Sequence, residues 1–291
     1  MNNTVSLLAA VIQIDSHNPT WMVQTMGRQW HTKDKLVDPL DEDYVAIATI
    51  DQKNMIPVDV TAPLNITINP RVVLAHNVWC RWAQIPAQLQ LWQAVADLTD
   101  PVLKHFMTGV LSDSEIMGPF YKARASKSYH HKREGELFLH SVEVAINARQ
   151  MAQQHNLPQR IQECAFVGGF LHDAGKLLMH YNLDNQDKKG VNGSHEAFNF
   201  LVLADHLDQL KSQDKALFAA ISAILSPQLG NKKYYDYIEE SLVRSADRLS
   251  AHNYELKHVF KNKPADQLHA NANGGRTYRR IGEPQAAETP A

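Results

Sequence analysis

Residues 165–176 read Ala-Phe-Val-Gly-Gly-Phe-Leu-His-Asp-Ala-Gly-Lys, an apolar run that ends on an imidazole and a carboxylate side by side. An apolar stretch of this length, without Pro and followed by further apolar residues, predicts a core helix from Pro158 to His180. Adjacent residues on a helix diverge by about 100°, so an ion held by both His172 and Asp173 must lie at their shared edge. Gly175 lets a substrate or another backbone come close, and Lys176 adds a charge suited to phosphate. The His-Asp dipeptide is common by chance, so its meaning depends on what accompanies it.

Two further polar residues interrupt apolar helical patterns. His140 lies within Leu137-Phe138-Leu139-His140-Ser141-Val142-Glu143-Val144-Ala145, on a helix from Gly135 to Gln154. A buried imidazole there must find a partner or cost stability, and a satisfied core histidine is the plain alternative. Asp247 sits among Leu242, Val243, Ala246 and Leu249 on a helix from Tyr234 to Asn253, where a carboxylate needs a cation. His140, His172, Asp173 and Asp247 thus come from three separate helices, which is how bundles build metal sites from inward-facing side chains.

Outward from these elements, helices are predicted from Ser194 to Leu210 and from Asp214 to Leu225, and Pro101 opens another. From Pro86 onward, Leu89, Trp92, Val95, Ala96 and Leu98 share one helical face. Before that the character is different. Val5 to Ile14, Tyr44 to Ile50, Val58 to Thr61 and Leu64 to Ile68 are short β-prone runs separated by Pro-containing breaks. The expected organisation is a β-rich module over 1–85, a helical region over 86–260 and a structureless tail over 261–291, poor in apolar periodicity. A five-stranded barrel of the oligonucleotide-binding (OB) kind fits the length of the first module. Packing of Trp79, Trp82 and Trp92 into one shared core is the alternative to a separable module.

With 44% hydrophobic and 21% charged residues over 291 positions, the chain has an ordinary globular composition. A net charge of -2 and a pI near 6.7 exclude a wholly basic nucleic-acid coat and leave room for a local basic patch. Cys80 and Cys164 are the only cysteines and form no CxxC, so neither a disulfide framework nor a thiolate zinc site is supported. The cytoplasm is the expected compartment. The short apolar run near the start lacks a basic leader and a cleavage signal, and no stretch approaches membrane-spanning length. The 15 histidines direct attention to metal binding and proton transfer.

The order of His, then His-Asp with Gly-Lys, then Asp resembles the HD superfamily of metal-dependent phosphohydrolases. Phe120 to Ser126, Tyr129-His130-His131, Gly135 to His140 and Leu171 to Lys176 are similar to two of its branches. These are the YhaM-type three-prime exoribonucleases, which join an OB barrel to an HD domain, and the HD region of TraI-type relaxases. The resemblance implies that His140, His172, Asp173 and Asp247 coordinate a divalent ion, Mn2+ or similar, with Lys176 near the scissile phosphate. Two positions depart from the pattern. Leu225 to Gly230 stands where the exoribonuclease branch carries Ser-His-His-Gly, and Gly135-Glu136 stands for Gly-Gly. Without the His pair a single-metal site is expected, with His195 as an extra contact. Asp173 or His195 would accept the proton of the attacking water.

The segment from Tyr121 to Arg133 interleaves Lys122, Arg124, Lys127, Lys132 and Arg133 with Tyr121, Tyr129, His130 and His131, with no acidic residue before Glu134. That composition suits a phosphate backbone with bases stacked beside it. A solvated loop, with histidines that orient the metal ligands, is the competing reading. Arg276, Arg279 and Arg280 add basic charge to the tail. The leading expectation is therefore a phosphodiesterase acting on single-stranded nucleic acid in the manner of a three-prime exoribonuclease. A nucleotide phosphohydrolase and a nucleic-acid-binding, relaxase-related protein of a mobile element with little or no turnover are the alternatives.

Overall fold

The computed structural model describes residues 4–15, 20–26, 28–32, 43–61, 63–126, 133–179, 182, 190, 193–227, 234–272 and 275–281. The chain opens with strands β1 (Thr4–Asp15), β2 (Thr20–Thr25), β3 (Arg28–Thr32), β4 (Tyr44–Asp51) and β5 (Ile56–Val60). They form one antiparallel sheet in the order β3-β2-β1-β4-β5. β1 is long because it serves two partners. Thr4 to Val11 runs beside β4, and Ala10 to Asp15 runs beside β2. Register irregularities at Gln13/Asp15 and Thr49/Ile50 add local twist, and the sheet curls into a half-barrel. Its two sides approach each other where the Trp30 indole of β3 donates to the Met55 carbonyl, in the β4–β5 turn, at 3.0 Å. The strand order, the long shared β1 and the curl are consistent with an OB-like module.

Helix α1 (Pro70–Trp79) starts at Asn69, whose side chain accepts from the Arg71 N–H, with Pro70 in the first position. It packs on β1, where the Asn77 amide donates to the Leu8 carbonyl at 3.1 Å. The helices that follow are α2 (Ile85–Ala96), α3 (Pro101–Ser112), α4 (Ser114–Lys122), α5 (Glu136–Gln154) and α6 (Gln159–Leu171). Beyond them lie α7 (His195–Val202), α8 (Ala204–Gln213), α9 (Lys215–Leu225) and α10 (Ile238–Phe260). Asp100, Asp113 and Asp214 cap α3, α4 and α9 by accepting from first-turn N–H groups. α5, α6 and α10 pack against one another; α5 carries His140, α10 carries Asp247, and His172 and Asp173 follow the end of α6. One hydrophobic cluster runs from Leu8 and Ile50 of the sheet through Val73 of α1 to Phe138 and Phe170 of the bundle.

The structure differs from expectation at four places. Leu64 to Ile68 is not a strand; it follows β5 and touches β4 through one bond, Leu64 N–H to the Val45 carbonyl at 2.8 Å. β2 and β3 carry the sheet instead, with Trp21, Val23 and Thr25 alternating inward. The helix expected from Pro158 to His180 stops at Leu171, and a 3₁₀ turn (Ala174–Leu178) follows. The helix expected from Ser194 to Leu210 breaks at Leu203 into α7 and α8. In the tail, which was expected to lack structure, strands β6 (His269–Asn271) and β7 (Thr277–Arg279) pair as a hairpin. Its Ala270 and Tyr278 bury against Phe260 of α10, and the Arg280 guanidinium lies over the Phe260 ring at 4.5 Å.

Candidate metal centre

α5 and α6 approach closely at Gly169, where a Cβ would meet the Ala145 Cα at 2.9 Å. Only glycine permits that contact, and it brings the His140 and His172 rings to a centroid separation of 5.3 Å. α6 ends just before His172. The His172 Nδ1–H donates back to the Gly169 carbonyl at 2.8 Å, which directs its Nε2 away from the helix end. Asp173 lies in the turn that follows, not on a continuing helix, so imidazole and carboxylate can share one face despite being adjacent.

The turn is held by close backbone packing. A Cβ on Gly175 would stand 2.0 Å from the His195 carbonyl oxygen and 2.7 Å from the Asn199 nitrogen. Gly175 is therefore required by another backbone, the start of α7. Asn199, which sequence reasoning missed, is fully buried and satisfies both sides of this contact. Its Oδ1 accepts from the Gly175 N–H at 2.6 Å, and its Nδ2 donates to the carbonyls of His172 and Leu225 at 2.7 and 2.9 Å. The available signal was an amide flanked by Phe198 and Phe200 in an apolar helix.

The four expected ligands converge. His140 Nε2 lies 3.3 Å from Asp173 Oδ2 and 3.1 Å from Asp247 Oδ1, while His172 Nε2 lies 3.4 and 3.8 Å from the same two oxygens. His140 and Asp173 are almost wholly buried, and Asp247 closes the cluster at its more open rim. His195 joins from α7, with Nε2 at 2.8 Å from Asp173 Oδ1 and Nδ1 at 3.5 Å from Glu196. The Lys176 ammonium is 2.6 Å from Asp173 Oδ2, so its first partner is a carboxylate. Burial alone would favour a neutral Asp173, but the neighbouring His172, Lys176, His140 and His195 more than offset it and hold the carboxyl well below its usual range. Asp247 is held low in the same way by contacts with His140 and His172 against the cost of burial. For His140, burial opposes the charge, yet hydrogen bonds to Asp173 and Asp247 push the imidazole up to about 9.

The donor atoms fit a divalent cation. With its Nδ1 proton committed to Gly169, His172 presents a lone pair at Nε2, and that buried nitrogen has no hydrogen-bond partner. A buried acceptor facing carboxylate oxygens is costly unless a cation fills the space between them. Among the described residues, His140, His172 and Asp173 form a group whose ligand atoms lie close enough together to hold one ion. Asp247 Oδ1 supplies a further oxygen beside them. Imidazole and carboxylate together suit Mn2+, Fe2+ or Zn2+ better than a soft ion.

The basic segment is only partly described. Lys127, His130, His131 and Lys132 lie outside the described residues, as do Tyr129 and the Gln228 to Gly230 part of the displaced His-pair position. Lys122 and Arg133 are exposed and Arg124 is half-buried. Asn182 links this segment to the site. Its Oδ1 accepts from the Arg124 N–H at 2.8 Å, and its Nδ2 donates to the carbonyls of Arg124 and Lys176, both at 2.9 Å.

Residues 137–252 match the HD domain family. The matched span contains His140, His172, Asp173, His195 and Asp247. No curated protein and no solved structure matches the chain. No helix among the described residues is long and apolar enough to cross a membrane.

Proposed function

We propose that this protein, a metal-dependent phosphohydrolase by its HD domain and its His–His–Asp cluster, cleaves phosphodiester bonds in single-stranded nucleic acid, working from the three-prime end of RNA. The observation that carries the proposal is the Asn182 staple, which anchors the start of the basic segment on the same turn that bears Lys176. A strand following Lys122 and Arg124 is thereby led toward the cluster. The OB-like sheet, packed on the helical region through α1, supports the same substrate class. The likeness to YhaM-type exoribonucleases rests on the sequence motifs alone.

In this proposal His140, His172, Asp173 and Asp247 hold a single divalent ion, which supplies Lewis acidity toward a phosphoryl oxygen and toward water. Asp173 or His195 accepts the proton of the water. The His195 Nε2–H donates to Asp173 Oδ1, so a proton gained by His195 goes to Nδ1, where Glu196 would stabilise it. Lys176 balances charge at the cluster and reaches the scissile phosphate from it.

The test is release of nucleotides from single-stranded RNA and DNA by the purified protein with Mn2+, beside free nucleotides, across a salt series. Gln replacements of Lys122, Arg124 and Arg133 should weaken oligonucleotide cleavage and reduce the log–log salt slope by about one per lost phosphate contact. Hydrolysis of free nucleotides with no action on either strand would refute the proposal in favour of a nucleotide phosphohydrolase. Strand binding that survives His172→Ala, without hydrolysis by the parent, would make it a binding protein related to relaxases.

A further inference from the structure

His140 is the most buried imidazole of the cluster, and behind its metal-facing nitrogen stands a second polar array that the chemistry above does not use. His140 Nδ1 lies 3.1 Å from the Ser250 hydroxyl, and that hydroxyl donates to Glu143 Oε2 at 2.9 Å. A serine has a single proton to give. Because Glu143 takes it, the Ser250 oxygen can only accept from His140, which fixes the proton on Nδ1 and leaves Nε2 to face Asp173 and Asp247.

The placement is repeated on two helices. Glu143 stands three residues after His140 on α5, and Ser250 stands three residues after Asp247 on α10. Side chains three apart share a helix face. Each helix that offers a candidate ligand therefore also offers one member of the array, a turn further along. Ser250 is 1% exposed and Glu143 is half-buried, so the array runs from the cluster toward solvent. His172 has a different anchor, the Gly169 carbonyl of its own helix.

We infer that Ser250 and Glu143 are positioning residues for metal binding, forming a Glu143–Ser250–His140 relay that sets the tautomer and strengthens His140 as a ligand. The inference rests on the proposed ligand role of His140. A hydroxyl already hydrogen-bonded to a carboxylate is a stronger acceptor than one in water. Polarising the Nδ1–H makes Nε2 a better donor, and outer partners of this kind are worth 10- to 100-fold in metal affinity on the order of magnitude.

The test is Co2+ and Mn2+ affinity of the full chain by calorimetry, with the visible absorption of bound Co2+ as a second readout and urea midpoints to establish folding. Ser250→Ala should weaken affinity by about 10- to 100-fold and alter the Co2+ spectrum. Glu143→Gln should weaken it less, because the amide still accepts from Ser250. The double variant should bind no more weakly than Ser250→Ala alone, since Glu143 acts only through the hydroxyl. Parent-like affinity and spectrum in folded Ser250→Ala would overturn the relay, and so would additive losses in the cycle. Should Ser250→Ala not fold, Glu143→Gln decides alone, and unchanged affinity and spectrum there overturn the relay. A parent chain that takes up neither ion would overturn the metal site itself, and the relay with it.

Discussion

His76 gives the sharpest quantitative prediction, because it is a wholly buried imidazole at the joint between α1 and the bundle. Its Nε2 lies 2.7 Å from the Leu111 carbonyl and its Nδ1 lies 3.2 Å from the Tyr121 hydroxyl, among the rings of Trp79, Trp92 and Tyr121. Burial pushes its pKa down from 6.5 to about 4, against a smaller opposing effect of the Leu111 bond. The fold therefore holds the neutral ring, while the unfolded chain takes up a proton below pH 6.5. This stabilisation is complete above that value and is lost as pH falls toward 4. At its limit it amounts to about 3 kcal/mol, and about 2 kcal/mol is gone by pH 5. Urea unfolding in EDTA at pH 7.5 and 5.0, for the parent and for His76→Gln, isolates it. His140, whose pKa is raised, contributes stability that is lost as pH rises through about 9, but that contribution is common to both proteins and cancels. The parent should lose about 2 kcal/mol more than the variant between the two pH values. Equal losses would refute the assignment of a buried neutral His76.

Asp173→Ala should abolish metal binding and, in metal-free protein, cost about 3 kcal/mol, because buried His140 and Lys176 lose their shared carboxylate; retained metal, or unchanged stability, would contradict this. Gly175→Ala should destabilise the fold by about 1–3 kcal/mol and displace His195, since the added Cβ would overlap the His195 carbonyl. A parent-like urea midpoint with full activity would show that α7 can yield. With His140 pushed up to about 9, an ion binding at pH 7.5 must expel its proton. Calorimetry in two buffers of different ionisation enthalpy should report about one proton released per Mn2+, and a buffer-independent enthalpy would refute this.

The candidate ligands were legible because each breaks an apolar helical pattern, as His140 does between Leu139 and Ser141 and Asp247 does beside Ala246. Their chemistry conflicts with their surroundings unless something binds there. The stop of α6 was not legible. Apolar residues continue to Met179 without a proline, and the close contact of Gly175 with α7, which holds the turn that follows, is invisible along the chain. β2 and β3 were hidden for another reason. Their outward positions carry Gln24, Gln29 and His31, and Arg28 opens β3, so short strands look like polar linkers, while the more apolar Leu64 to Ile68 lacks a neighbour to pair with along its length. Ser250 gave no signal, since a serine on a helix becomes informative only when Glu143 and His140 are seen on either side of it.

The same contacts bear on how the sheet and the metal site depend on each other. α1 falls within the first 85 residues, yet its side chains face both ways. Asn77 holds Leu8 of β1, while His76 holds Leu111 of α3 and meets Tyr121 of α4. Tyr121 in turn stacks on Phe138 with ring centroids 4.1 Å apart, and Phe138 precedes His140 by two positions on α5. A cut near Pro86 would strip His76 and Trp79 from the Tyr121 and Trp92 rings and uncover a large aromatic surface. A cut ahead of Pro70 would leave that cluster whole and remove only the sheet. By this packing, α1 joins the sheet to the helices of the candidate metal centre, and α2 also reaches β1. Any effect of the sheet on the site would have a continuous line of packed side chains along which to act.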